Sequence, residues 1–173
     1  NINLQGTVDG GKALTLVSGS GAVNVDGAIG GSTALTSLTV NSSGAGTVEI
    51  NNIGTSSAAG VTGATAIGNT NTGTLTLDGT VYTTNAATYT AATGGGNIDI
   101  TGAATFTTSA DNIAFNTSGV DLGANVAITT GTGTNAGTVS FGGAIEAGTA
   151  GQETLTIDSG AGNVTFTGAI GLT

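Results

Sequence analysis

The 173-residue sequence predicts an all-β fold, a parallel β-helix (β-solenoid) of roughly seven coils, and three observations lead there. Short segments alternate apolar and polar residues with a period of two, as strands with one dry and one wet face do. These segments return at solenoid spacing, between 20 and 50 residues. The apolar residues are mainly small and aliphatic, with only 3 % aromatics, as a narrow stacked core requires.

Taken in chain order, the segments are Ile2-Asn3-Leu4, Val23-Asn24-Val25, Val48-Glu49-Ile50, Leu75-Thr76-Leu77, Ile98-Asp99-Ile100, Val139-Ser140-Phe141 and Val164-Thr165-Phe166. Most continue into a Gly or Asn, which lets the chain turn, and then into a second apolar point at Val8, Ile29, Val81, Ile145 or Ile170. Between copies lies a further apolar pair, in Leu14-Thr15-Leu16, Leu38-Thr39-Val40, Ile113-Ala114-Phe115 and Leu155-Thr156-Ile157, so each coil carries at least two strands.

Stacked by this alignment, the six later copies form two inward ladders. One is Val23, Val48, Leu75, Ile98, Val139 and Val164, and the other is Val25, Ile50, Leu77, Ile100, Phe141 and Phe166. Residues 1–173 read as a single module, with irregular coils expected near 54–74 and 103–136. The step from Ile98 to Val139 is 41 residues, where an extra coil or a loop is expected.

Helices are excluded because Thr, Gly, Asn, Ser and Val form them poorly and no apolar i, i+3, i+4, i+7 stripe is sustained. Antiparallel β-sandwich repeats are the alternative, since closely spaced strands with turn signals suit them as well. The recurrence of equivalent positions and the shortage of large core residues favour the solenoid.

Composition removes most chemistry. The chain has no His or Cys, hence neither an imidazole base nor a thiolate, and its one basic residue is Lys12. A net charge of −9 argues against nucleic acid as a partner, because phosphate contacts need clustered cations. No apolar run is long enough to insert into a membrane in this segment. The absence of Met marks the chain as an expected processed piece or part of something longer.

Acids are the remaining catalytic candidates. Asp26, Glu49, Asp78, Asp99 and Asp158 fall at outward strand positions or just before turns, where solubilising charge explains them. Glu49 and Asp99 would lie two coils apart on one ladder, roughly 10 Å, which identifies no glycosidase pair. No catalytic, cofactor-binding or metal site is assigned, and the chain reads as a non-enzyme. Calcium at surface aspartates is allowed by their chemistry, but Gly94-Gly95-Gly96-Asn97-Ile98-Asp99 occurs once, not as the tandem calcium repeat. Ice binding needs an uninterrupted Thr column, and the expected outward column Asn24, Glu49, Thr76, Asp99, Ser140, Thr165 contains charges. Phe106 and Phe115 are expected to fill wider coils, although with Tyr82 and Tyr89 they would also make a sugar-stacking patch.

Residues 159–171, Ser-Gly-Ala-Gly-Asn-Val-Thr-Phe-Thr-Gly-Ala-Ile-Gly, are echoed in residues 18–30 and followed there by the run Leu35 to Asn41. This pattern resembles the β-strand repeats of giant bacterial surface proteins of the filamentous-haemagglutinin-like group. The resemblance covers most of the chain, less clearly 54–74 and 103–136, and implies a secreted, right-handed parallel β-helix. It implies no catalytic residues. The function expected is a structural module of a bacterial extracellular stalk or filament, partnered end to end by adjacent copies. The alternative is an adhesin module whose side loops bind glycans or other surface ligands.

Overall fold

The alternating segments become strands, and each of their apolar residues turns inward. A computed structural model describes residues 1–41, 45–149 and 151–172, with nineteen strands and no helix among them. The first three coils carry β1 (Ile2–Leu4) and β2 (Ala13–Val17), then β3 (Val23–Val25) and β4 (Ser37–Asn41), then β5 (Val48–Ile50) and β6 (Thr65–Gly68). The fourth and fifth carry β7 (Thr74–Leu77), β8 (Val81–Thr83), β9 (Ala87–Thr90), β10 (Asn97–Ile100), β11 (Thr105–Thr107) and β12 (Ile113–Asn116). The sixth and seventh carry β13 (Gly119–Leu122), β14 (Val126–Gly131), β15 (Val139–Phe141), β16 (Ala144–Ala147), β17 (Leu155–Ser159) and β18 (Val164–Phe166), and β19 (Ile170–Leu172) follows.

These strands form three parallel sheets wound as a β-solenoid of about seven turns. The first sheet runs β1-β3-β5-β7-β10-β13-β16-β19, and the third runs β18-β15-β12-β9-β6-β4-β2. The second contains β17-β14-β11-β8, and single bridges through Ile53, Ile29 and Val8 extend its ladder towards the first coil. Every pairing between these strands is parallel, which rules out antiparallel sandwich repeats.

The core is a bundle of inward columns. In the first sheet Ile2, Val23, Val48, Leu75 and Ile98 stand in register, and so do Leu4, Val25, Ile50, Leu77 and Ile100. Beyond Ile98 the column differs from the expected ladder. It continues through Val120, Ile145 and Ile170, not through Val139 and Val164. Leu122 follows Ile100 in the companion column, in place of Phe141 and Phe166. Val139, Val164, Phe141 and Phe166 belong to the third sheet, where they register with Ile113 and Phe115.

The 41-residue step is therefore one whole coil, Ile98 to Val120, plus the path from the first sheet to the third. Residues 103–136 hold β11 to β14, which pair with the neighbouring coils in register except where β14 slips against β17 between Thr129 and Gly131. In 54–74, Val61 and Ile67 are fully buried, and β6 pairs on both sides. The second apolar points also divide. Val8 and Ile29 enter the second sheet, Ile145 and Ile170 the first, and Val81 stays half-buried while Tyr82 takes the inner place.

Tyr82, Tyr89, Phe106 and Phe115 are all enclosed. Tyr89, Phe115, Phe141 and Phe166 stack in the third sheet, with successive ring centroids 5.3, 4.8 and 5.4 Å apart. Tyr82 and Phe106 stack at 4.7 Å in the second sheet, and Phe106 meets Tyr89 and Phe115 edge-on. Each fully buried side chain of this size contributes about 1.5–3 kcal/mol. Tyr82, Tyr89, Phe106 and Phe115 therefore make no outward patch on which sugars could stack.

Glycine is required where coil corners touch. Gly54 has φ +77°, and a Cβ there would lie 2.5 Å from the Gly60 nitrogen. Gly54 donates to Ile29 O and Gly60 to Thr83 O, both at 2.8 Å, so this corner joins three successive coils.

Candidate functional site

With the interior filled, chemistry is left to the outward columns, and the three faces differ. On the first sheet the column reads Asn3, Asn24, Glu49, Thr76, Asp99, Asp121, Glu146. On the third it reads Thr15, Thr39, Ala66, Thr88, Ala114, Ser140, Thr165, with no charge. Part of the second sheet's column is Thr83, Thr107, Thr129, Asp158. The expected mixed column therefore does not exist: Ser140 and Thr165 lie on a different face from Asn24, Glu49, Thr76 and Asp99. The charges that argued against an uninterrupted hydroxyl column belong to the first sheet.

Glu49 and Asp99 are two rungs apart, with Thr76 between them. Asp26 and Asp78 follow the ends of β3 and β7, on the corner beside the same face, and Asp158 lies in β17 on another. The continuation of the acidic row, Asp121 and Glu146, escaped the sequence reading. Its signal was present: Val120-Asp121-Leu122 and Ile145-Glu146-Ala147 repeat the triplet form of Val48-Glu49-Ile50. The misplaced rung at Val139 concealed them.

Burial first, and then the negative charge of Asp121 beside it, hold the Asp99 carboxyl above its usual range. Asp121 is oriented by Asn97, whose Nδ2 donates to its Oδ2 at 2.7 Å. Asp9 behaves oppositely. Its exposed carboxylate accepts from the backbone nitrogens of Thr33 and Ser32, and these bonds hold it below the usual range. No cluster of three or more potential metal-ligating side chains occurs among the described residues.

A shallow groove of about 230 Å³ lies beside the second sheet's outer face. Thr107, Thr108, Ser109, Thr129, Thr132 and Asn135 line it with hydroxyls and one amide, and no charged side chain does. Ala110 on its rim has φ +65°, a conformation rarely adopted outside glycine. Such a surface can exchange hydrogen bonds with a neutral hydroxylated ligand, and none of its lining side chains is a carboxylate or an amine. No protein-family model matches the chain, and no curated protein or solved structure does either.

Proposed function

We propose that the chain is a structural, non-enzymatic module of a bacterial extracellular stalk or filament, joined end to end with further coils of the same kind. The observation that carries this reading is the continuity of the parallel ladders, because each coil edge is a template for the next. Inner-column positions that are closed in the middle coils are open on the last described rungs. Phe115 and Phe141 are at most 1 % exposed, whereas Phe166, next in their stack, is 39 % exposed. Val164 and Ile170 on the same rungs are 37 % and 58 % exposed, and further coils of the same kind would cover them. The bacterial surface setting rests on the repeat resemblance alone.

Sedimentation and electron microscopy of the purified chain test it. Rods that lengthen with concentration are expected, and Phe166→Lys together with Ile170→Lys should shorten them. Compact single units at every concentration would overturn the reading.

The hydroxyl-lined groove supports a second reading, an adhesin module that binds neutral glycans beside the second sheet. On a glycan array the chain would then retain a defined set of uncharged sugars, and Thr107→Val with Thr129→Val would abolish retention. A chain that retains none removes this reading and leaves the first.

A further inference from the structure

We propose that Asp99 and Asp121 share one proton between their carboxyls, and that this proton makes the middle coils more stable in mild acid than at neutral pH. Asp99, Asp121 and Glu146 are consecutive register partners on one face, so their backbones are about 4.8 Å apart. Like charges directly opposite one another in a sheet destabilise it, and three in a row compound the repulsion. The surroundings supply no cation. β7 contributes Thr76 and, past its end, Asp78; β10 contributes Asn97; β13 and β16 contribute Asp121 and Glu146. Lys12 lies in the first coil, four rungs from Asp99, about 19 Å along the axis.

The hydrogen-bond pattern lacks one donor. Asp99 Oδ1 is enclosed and meets no hydrogen-bonding partner. Asn97 already satisfies one oxygen of Asp121. With both carboxylates ionised, two acceptors face each other. With one protonated, its O–H donates to the other, satisfying both and removing one charge. A buried acceptor left without a donor is costly, so the native state favours taking up the proton.

The direction of the pH dependence follows from linkage. The native chain binds this proton more tightly than the unfolded chain, whose Asp99 returns to the ordinary value of 3.8. Stability therefore rises as pH falls through the raised native range and stops rising below the ordinary one. A chain of net charge −9 also gains generally from losing charge, so the local effect needs a local control. Glu49 provides it, because it shares the face but has Asn24 and Thr76 as register partners.

Thermal unfolding of the whole chain at neutral pH and at about pH 5, without divalent cations, tests the proposal, with carboxyl-carbon NMR titration as a second readout. The wild type should melt at a higher temperature at about pH 5 than at neutral pH. Asp99→Asn, whose amide supplies the missing donor, should melt higher at neutral pH and lose most of the gain, whereas Glu49→Gln should keep it. In the titration Asp99 should protonate above the usual aspartate range. Asp99→Asn retaining the full gain, Glu49→Gln losing as much of it, or Asp99 titrating in the ordinary range would each overturn the proposal.

Discussion

Tyr89 and Tyr82 are both fully buried, yet only one of them uses its hydroxyl. Tyr82 OH donates to Ile50 O at 3.0 Å and accepts from the Gly79 nitrogen at 2.8 Å. Tyr89 OH meets no partner among the described residues, although its ring stacks on Phe115. Burial raises both phenols well above their ordinary range. Tyr89→Phe should therefore stabilise the chain by about 1 kcal/mol, because it removes an unsatisfied polar atom and keeps the stack. Tyr82→Phe should destabilise it by about 1–3 kcal/mol, since a backbone donor and a carbonyl lose their partner. Denaturant unfolding of the two variants reads both signs. That these aromatics fill the core was legible from their strand positions. Which hydroxyl finds a partner was not, because the Tyr82 acceptor at Ile50 lies 32 residues away in sequence.

At the scale of elements, coil corners are closed by side chains that reach the next rung. Asn52 Oδ1 accepts from the nitrogens of Thr80 and Val81 at 2.8 and 2.9 Å. Asn112 does the same for Thr138 and Asn125 for Thr154, and Asp9 serves Ser32 and Thr33. Asn52→Ala should cost about 1–3 kcal/mol by leaving two backbone donors short, lowering the denaturant midpoint with its slope unchanged. In sequence Asn52 reads as a turn former, but the partners of all four residues one coil on cannot be seen. The corners also explain the misassigned rungs. Val23-Asn24-Val25-Asp26-Gly27-Ala28-Ile29 leads from the first sheet into the second, whereas Val164-Thr165-Phe166-Thr167-Gly168-Ala169-Ile170 leads from the third into the first. Local turn chemistry is the same at both, so the signature identifies a corner without identifying which one.

For the whole molecule, the position of the tight corner drifts along the rod. In the first four coils the connection from the third sheet into the first is several residues long, as from Gly68 to Thr74 and from Thr90 to Asn97, and in the third coil the path from Ile53 to Thr65 is longer still. From the fifth coil this corner contracts, Asn116 to Gly119 and Phe141 to Ala144, and length moves to other corners, as between Ala147 and Leu155. End-to-end continuation needs only matching rungs, so this drift leaves the ladders unbroken.

The sequence by itself determined the strands that its clearest alternating segments form, their dry and wet faces and the stacking of coils, because alternation is local and parallel stacking is the way so many short apolar pairs are buried together. Only the tertiary structure decided which sheet each late strand joins, and hence that Asp121 and Glu146 stand beside Asp99 while the third sheet stays uncharged. The physical reason is that sheet membership depends on rung-to-rung hydrogen-bond register summed over three corners of unequal length. That register links residues 21 to 27 positions apart along most of the first sheet.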